Sequence, residues 1–369
     1  MILACGSKSR LAAKTPGGCD QGQGNLHYLP GKDNFIRAQS GHKRYMEKQI
    51  VGEVAQARAM QRVRVGRSNL EITRFGLGTV PLGGKYQPIS DEQALETVRS
   101  ALDAGINWFD TAPRYGFGLA EQRLGKALTG VPRGRYLLAT KVGWRVSPEG
   151  INTPDFSRDG VRRSVEASLR RLGVEHVDIL HIHDADDHYR AALDEVFPVL
   201  AEMRAQGLVR AISAGMNQWE MLADFAREAD FDCFLLAGRY TLLEQGALET
   251  FLPLCQERKI GVLVGGVLNS GILGTGARSG ALYNYRAAPL TILERVARIE
   301  AVCARHGVPL HVAALQFPLA HPAVTSIVVG AGSPDEVKAN VAALDAALPD
   351  DLWVELQAEG LLHPAAPTP

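Results

Sequence analysis

Apolar and polar positions alternate along most of this chain with two different periods. Short apolar runs bounded by Gly, Pro or polar residues have the character of buried strands. Between them lie longer stretches with apolar residues three and four positions apart, which is typical of amphipathic helices. The first regular feature is a predicted hairpin, in which 63–65 and 70–72 alternate about a turn at 66–69.

Strands and helices then follow one another regularly. The predicted strands cover 74–79, 106–110, 136–141, 177–183, 209–214, 231–236, 260–265 and 325–329. The predicted helices cover 91–104, 120–128, 157–172, 189–205, 246–256, 290–306 and 334–346. Because the first three strands end at 79, 110 and 141, each unit takes 31 residues, enough for one strand, one helix and two short loops.

Eight such units predict an α/β fold, a closed parallel (β/α)8 TIM barrel. The barrel is expected to carry an N-terminal β-hairpin and extra C-terminal helices over 309–321 and 350–362. An open doubly wound sheet is the alternative architecture. No Gly-x-Gly-x-x-Gly motif follows the first strand, however, and the barrel is therefore favoured.

Residues 1–59 lack this periodicity. They are rich in Gly, Lys, Gln and Ser, and only 42–59 has the character of a helix. We expect them to be a disordered extension, or sequence upstream of a start at Met60. A targeting or docking arm is the alternative. The single barrel domain is therefore expected over 60–369.

Composition narrows the function classes. Lys plus Arg and Asp plus Glu number 40 each, and this neutral balance gives no reason to expect nucleic acid or a membrane surface as a partner. The five cysteines form no Cys-x-x-Cys pair, which indicates thiols of a reducing compartment. No apolar run is long enough for a membrane helix. We expect a cytoplasmic monomer or small homo-oligomer that acts on a small molecule.

Polar residues stand at the ends of three consecutive predicted strands, where the chemistry of (β/α)8 barrels gathers. Asp110 ends the second strand, with Tyr115 in the loop after it, Lys141 ends the third, and His181 and His183 end the fourth. A free phenol has a pKa of about 10, so a tyrosine that transfers protons at neutral pH needs surroundings that lower this pKa. An ammonium favours the phenolate, and a carboxylate holds that ammonium in place.

The pattern therefore predicts proton transfer by Tyr115, assisted by Lys141 and Asp110. His183 is expected to direct a hydrogen bond at the reacting oxygen, and the deeper His181 is given a structural role. A Schiff-base aldolase would also use a strand-end lysine, but the Asp110 carboxylate would raise rather than depress the pKa of Lys141. A metal-dependent hydrolase would use the two histidines, but the remaining ones fall mostly on helices or at strand starts. No metal is expected.

Four separated motifs resemble those of the aldo-keto reductase family. They are 76–79 (Gly-Leu-Gly-Thr), 109–112 (Phe-Asp-Thr-Ala) with Tyr115, Thr140-Lys141, and 182–184 (Ile-His-Asp). The resemblance covers 60–348 and implies an NAD(P)-dependent oxidoreductase with Asp110, Tyr115, Lys141 and His183 as catalytic residues. Segments 214–220, 235–240 and 265–271 resemble the branch of D-threo-aldose (L-fucose) 1-dehydrogenases and pyridoxal 4-dehydrogenases.

This branch implies hydride transfer between nicotinamide and a sugar hemiacetal, which takes aldose C1 to a lactone. The alternatives are a pyridoxal 4-dehydrogenase, a general aldehyde or ketone reductase and, outside enzymology, a nucleotide-sensing subunit of a larger assembly. Aromatic side chains in strand-end loops suit stacking on a sugar or pyridine ring. The predicted substrate contacts are Tyr86, Trp144, Tyr240 and Tyr283, with His188 and Tyr285 in nearby loops.

The resemblance also implies a set of cofactor contacts, although the chain departs from the family pattern around the nicotinamide ring. Gly215-Met216 replaces a Ser-Asn pair, Ala237 replaces a glutamine, and Gly265 replaces an aromatic residue. Relatives that hold the extra phosphate of NADP use a lysine and an arginine where this chain has Gly330 and Glu336, so NAD is predicted as the preferred cofactor and NADP as a second one. The implied contacts are Gly78, Thr79, Asn217, Gly265, Leu268, Ser270, Gly330, Ala331, Gly332 and Asn340.

Overall fold

A β-hairpin comes first in the computed structural model, which describes residues 59–85, 87–147 and 149–369. Strands β1 (Arg62–Arg64) and β2 (Glu71–Thr73) pair antiparallel. Val65, Leu70 and Ile72 from this hairpin share a buried cluster with inward side chains of the barrel. The hairpin therefore closes one end of the barrel, as its apolar positions require.

The remaining strands form a closed barrel and two small hairpins. In chain order they are β3 (Phe75–Gly78), β4 (Trp108–Asp110), β5 (Leu137–Val142), β6 (Trp144–Val146), β7 (Asn152–Pro154), β8 (Val177–His183), β9 (Val209–Met216), β10 (Cys233–Ala237), β11 (Gly261–Gly265), β12 (Leu282–Tyr283), β13 (Arg286–Ala287) and β14 (Val324–Gly330). The barrel order is β10–β11–β14–β3–β4–β5–β8–β9, with parallel pairing throughout. The predicted (β/α)8 architecture is confirmed.

Helices connect the barrel strands and pack around them. They are α1 (Asp91–Asp103), α2 (Leu119–Leu128), α3 (Arg158–Leu172), α4 (Tyr189–Ala191, continuing through a π-turn at Ala192–Val196 into Phe197–Ala205), α5 (Trp219–Glu228), α6 (Phe251–Glu257), α7 (Ile272–Thr275), α8 (Leu290–Arg305), α9 (Leu310–Gln316), α10 (Pro334–Asp345) and α11 (Asp350–Ala358). Ser90, Ser157 and Ser333 cap α1, α3 and α10 by accepting a backbone N–H through their hydroxyls. No helix in the described residues combines the length and apolar character needed to cross a membrane.

Four elements were absent from the predicted series, namely α5, the short helix α7 and two hairpins. Helix α5 fills the interval between β9 and β10, and its buried residues Leu222, Ala223, Phe225 and Ala226 do follow a helical period. The β6–β7 and β12–β13 hairpins lie in loops after β5 and β11. Their strands are only two or three residues long, too short for an alternating pattern to show.

Side chains of the barrel strands alternate between an outer core beneath the helices and an inner core. This period of two brings the polar strand-end residues to the inside. Trp108 and Asp110 share the inward face of β4, Ala139 and Lys141 that of β5, and Ile179, His181 and His183 that of β8. The predicted catalytic side chains therefore converge at one end of the barrel interior.

Candidate active site

An ion pair between Asp110 and Lys141 lies at the centre of the site. Lys141 Nζ is 2.8 Å from Asp110 Oδ1, 2.6 Å from Oδ2 and 2.8 Å from the carbonyl oxygen of Thr111. Both side chains are almost completely buried. Burial alone would raise the pKa of Asp110, but the Lys141 charge and the neighbouring His181 ring lower it below its usual value. The carboxylate therefore stays ionised and fixes the ammonium.

Tyr115 stands over this ion pair. Lys141 Nζ lies 4.8 Å from the centroid of its ring. The Tyr115 backbone is held by a close approach of two loops, because a Cβ added at Gly83 would lie 2.7 Å from the backbone nitrogen of Gly116 and from the carbonyl carbon of Tyr115. A glycine at 83 is thus a requirement of the Tyr115 position.

His183 faces the Tyr115 ring. The two ring centroids are 6.1 Å apart and the planes are nearly perpendicular. Burial, together with the charges of Lys141 and Arg114, holds the pKa of His183 well below its usual value, so the imidazole is neutral at physiological pH. A neutral imidazole donates one N–H, which suits a hydrogen bond to a substrate oxygen.

Deeper in the barrel, His181 is fully buried beneath the ion pair. Its Nδ1 lies 2.7 Å from Ser213 Oγ, and its Nε2 lies 3.4 Å from Asp110 Oδ1. Among the residues that the structure describes, no group of three or more His, Cys, Asp or Glu side chains is arranged to hold a metal ion.

A groove of about 520 Å³ runs from Asp110 and Tyr115 to the start of α10. Six of the predicted cofactor contacts line it, namely Gly78, Gly265, Leu268, Ser270, Gly330 and Gly332. Gln87, Ile89 and Gln93 line it from the β3 side, and Leu235 and Ala237 from β10. The groove therefore joins the proton-transfer residues to a wall that includes several glycines.

Four predicted cofactor contacts lie outside the lining of this groove. The Thr79 hydroxyl is buried, without a hydrogen-bond partner in the described residues. Asn217 Nδ2 donates to the carbonyl oxygen of Ala237 at 2.6 Å, which commits its amide to joining two strand ends. Ala331 is fully buried, and Asn340 lies in the middle of α10. The cofactor contacts of these four residues stay predictions.

The structure places one of the predicted substrate contacts beside the site and two others away from it. Trp144 lies beside the site, where its Nε1 donates to the carbonyl oxygen of His183 at 2.8 Å. Tyr240 is a correction, because it is fully buried against Phe317 and His321 in the outer core. Tyr283 is a second correction, since its hydroxyl is bonded to Glu244 and its ring does not line the groove.

The fourth predicted substrate contact and two aromatic residues of nearby loops remain. Tyr86 lies outside the described residues. Of the two residues in nearby loops, Tyr285 lines the groove and has Lys85 Nζ at 4.1 Å from its ring centroid. His188 instead stacks on Phe156 with a centroid separation of 4.5 Å. Tyr285 is thus the aromatic residue from β12–β13 that reaches the groove.

A charged pair beside His183 was not predicted. Arg114 Nη1 lies 2.8 Å from Asp184 Oδ2, and its guanidinium group stacks 4.2 Å from the centroid of the Trp144 ring. Asp184 Oδ2 is also 3.6 Å from His183 Nε2, and burial raises the pKa of Asp184 despite the Arg114 charge. Both residues flank predicted catalytic positions in the sequence, Arg114 before Tyr115 and Asp184 after His183, which is the signal that could have identified them.

Comparison with known proteins finds matches over most of this chain. The model of the Aldo/keto reductase family matches residues 74–359. The chain is 38% identical over 339 residues to the pyridoxal 4-dehydrogenase of Microbacterium luteolum, covering 83% of this chain and 99% of that protein. It is also 38% identical over 318 residues to a D-threo-aldose 1-dehydrogenase of a Pseudomonas species, covering 80% and 96%. An aldo-keto reductase from Bacillus halodurans, solved in its holo form, matches with a TM-score of 0.70 and 30% identity, covering 83% and 98%.

Proposed function

This chain belongs to the aldo/keto reductase family, and we propose that it is an NAD-preferring dehydrogenase that oxidises cyclic hemiacetals, chiefly those of aldoses, to lactones. Membership of the family makes the chain an oxidoreductase. The observation that carries the proposal is the arrangement of Tyr115 over the Lys141–Asp110 ion pair at the mouth of an elongated groove.

The groove fits a nicotinamide dinucleotide, which supplies the hydride acceptor when it is bound. Its glycine wall leaves room that side chains would take, since a Cβ at Gly330 would lie 3.0 Å from Pro81 and one at Gly78 would lie 3.1 Å from Val328. Ala237 and Gly265 also line the groove, so backbone and small side chains bound it at the two positions where the chain departs from the family pattern.

The residues above the ion pair have complementary roles in proton transfer. In the oxidative direction the Tyr115 phenolate takes the proton of the substrate hydroxyl while hydride leaves the same carbon. Lys141 favours the phenolate by its charge, and Asp110 keeps that charge in place. The neutral His183 donates a hydrogen bond to the substrate oxygen and orients it.

Preference for NAD is supported by a carboxylate at the far end of the groove. Glu336 Oε2 accepts a hydrogen bond from the backbone N–H of Gly332 at 2.8 Å, in the first turn region of α10. That N–H, together with the positive end of the helix, would otherwise attract a phosphate. A carboxylate there repels the extra phosphate of NADP, whereas it can accept hydrogen bonds from the ribose hydroxyls of NAD.

The proposed substrate class is supported by the polar groups around His183. Arg114 and Asp184 offer donors and acceptors on adjacent, partly exposed side chains, with Trp144 stacked on the guanidinium group. Tyr285 adds a flat ring at the groove. Ring hydroxyls of a sugar suit such a mixture, because each can donate and accept a hydrogen bond.

Pyridoxal is the second candidate substrate. It shares one chemical feature with aldoses, an aldehyde with a hydroxyl group placed to close a cyclic hemiacetal. The Trp144 and Tyr285 rings would suit its flat pyridine ring. The two candidates differ in the number of hydroxyl groups that Arg114 and Asp184 would meet, and the aldoses offer more. A general aldehyde or ketone reductase would make no use of this charged pair.

One assay tests the proposal. The purified full chain is offered NAD or NADP with aldoses, pyridoxal and monofunctional alcohols, and the near-ultraviolet absorbance of reduced nicotinamide is followed. We expect kcat/KM for the hemiacetals to exceed that for simple alcohols by about tenfold or more, with a lactone as product. Activity confined to steroids or long aliphatic aldehydes would overturn the proposal.

A matched pair of variants locates the substrate contact. Arg114→Met is expected to raise KM for an aldose by about tenfold or more, because it removes a charged hydrogen-bond donor. Arg145→Met, which removes an exposed arginine on β6, is expected to leave KM unchanged. Equal effects of the two variants would show that Arg114 does not contact the substrate.

A further inference from the structure

A polar chain continues from the catalytic ion pair into the interior of the barrel. His181 and Ser213 are both fully buried on the neighbouring strands β8 and β9. His181 Nδ1 is 2.7 Å from Ser213 Oγ, and its Nε2 faces Asp110 Oδ1 at 3.4 Å. The inward cluster beneath them, which includes Trp108, Ala139 and Ile179, is apolar. An imidazole in such surroundings is costly unless its polar atoms have a purpose.

The surroundings determine which nitrogen carries the proton. Burial lowers the pKa of His181, although Asp110 opposes the shift, so the ring is neutral and has one N–H. A bare Nε2 lone pair would face the negatively charged Asp110 oxygen, which is unfavourable. The 3.4 Å separation of Nε2 and Asp110 Oδ1 is not a hydrogen bond. The carboxylate charge nevertheless favours the tautomer with the proton on Nε2, in which Nδ1 accepts from the Ser213 hydroxyl.

The series of polar side chains that runs from Asp110 through His181 and Ser213 ends at Cys233, which is uncharged. Burial raises the pKa of the Cys233 thiol to about 12, although contact with Ser213 opposes the shift. Cys233 consequently stays protonated at physiological pH. The charge that the His181 ring meets therefore comes from Asp110 and Lys141.

We propose that His181 and Ser213 are positioning residues for proton transfer: Ser213 fixes the tautomer of His181, whose Nε2–H offsets part of the Asp110 charge and so strengthens the action of Lys141 on Tyr115. This inference rests on the proposed role of Tyr115. A negative charge near Tyr115 disfavours its phenolate, so a donor that offsets the Asp110 charge lowers the pH at which the phenolate forms. The chain thus connects the barrel interior to the acid–base group.

The test keeps the other charged and titratable groups around Tyr115 unchanged. These are Lys141 on β5, His183 and Asp184 at the end of β8, Arg114 in the Tyr115 loop and Lys85 in the loop after β3. The ionisation midpoint of Tyr115 is measured by NMR of the full chain with an isotope label at tyrosine Cζ, and Tyr115→Phe identifies the signal. This readout requires no turnover, so it is separate from any failure of the proposed substrate.

Three variants of His181 and Ser213 are expected to change the ionisation midpoint of Tyr115 by different amounts. His181→Leu is expected to raise the midpoint by about one pH unit, because the N–H at Asp110 is lost. His181→Gln is expected to restore it to within a few tenths of a pH unit, roughly the parent value, since the amide N–H can replace Nε2–H. Ser213→Ala is expected to raise it by a smaller amount, about half a unit, because the tautomer is no longer fixed.

Ser326→Ala is the matched control. Ser326 is also a fully buried serine of a barrel strand, but it bonds the carbonyl oxygen of Thr73 and the Trp108 ring instead of the ion pair. It is expected to leave the midpoint unchanged. The proposal is overturned if Ser213→Ala has no effect, or if His181→Leu and His181→Gln shift the midpoint equally. If His181→Leu does not fold, the midpoint measured for Ser213→Ala still tests the proposal. The pH profile of kcat/KM, measured with any accepted substrate, is expected to move in the same direction as the midpoint.

Discussion

The floor of the site and the wall of the groove are built in opposite ways. We define the floor as Asp110, Lys141, His181 and His183, and the wall as Gly78, Gly265, Gly330 and Gly332. The floor consists of buried ionisable side chains on the inward faces of three adjacent strands, with Asp110 in contact with Lys141 and His181. The wall consists of backbone and of the space left by missing side chains.

This difference determines what each region can tolerate. In the floor, function depends on the identity of single atoms, so a change that keeps the volume but removes a proton or a charge is expected to alter the rate. In the wall, function depends on backbone shape, so only added bulk or reversed charge is expected to matter. The predictions below test this contrast from the largest expected effect to the smallest.

Tyr115→Phe removes one hydroxyl above the floor and is expected to lower turnover by a factor of about a hundred or more, the usual scale of a lost general acid–base group. Binding of the cofactor, measured by fluorescence titration, is expected to be nearly unchanged. Tyr283→Phe is the control, because this tyrosine bonds Glu244 outside the groove lining. Near-normal turnover of Tyr115→Phe would remove the tyrosine from the mechanism.

Gly83→Ala adds bulk where two loops meet behind Tyr115. The new Cβ would lie 2.7 Å from the backbone of Tyr115 and Gly116, so one loop has to move. We expect kcat to fall by about tenfold or more, because small displacements of reacting groups are costly. Gly84→Ala is the matched neighbour: it has φ +75° and no atom within 4 Å, so it is expected to cost about 1 kcal/mol of stability but little activity. Equal kcat values for the two variants would contradict the argument.

Glu336→Lys reverses a charge at the end of the wall. For the parent chain we expect NAD to be preferred over NADP by about tenfold in kcat/KM, or roughly 1.4 kcal/mol. The lysine variant is expected to lose this preference, because the carboxylate at the Gly332 N–H is replaced by an ammonium. Asp335→Lys is the control, since this neighbouring side chain is largely exposed to solvent. A parent chain that uses NADP as well as NAD would refute the argument.

The same contrast explains what the sequence could predict. Asp110, Lys141 and His183 were identifiable because a strand period of two places them on one inner surface of the barrel. Contacts in the wall were harder, since they depend on which backbone groups face the groove rather than on residue type. Asn217 shows this, because its amide has the right chemistry for a ligand but is committed to Ala237. The predicted substrate contact of Tyr240 was wrong for a related reason. The loop after β10 directs its ring into the outer core, and no local sequence pattern indicates this direction.

The smallest expected effect is on stability at acid pH. Burying ionisable groups in the floor makes the free energy of unfolding depend on pH, whereas the glycines of the wall do not titrate. The pKa of His183 is held well below its usual value in the folded chain by burial and by the Lys141 and Arg114 charges. Below the unfolded value of about 6.5, the unfolded chain therefore binds a proton that the folded chain does not, and stability falls as the pH decreases. His183→Asn removes this difference, so relative to the parent it should gain about 1 kcal/mol of stability between pH 8 and about pH 5.5. Denaturant unfolding at both pH values measures this gain, and a constant difference between the two chains would show that His183 is not held neutral by the fold.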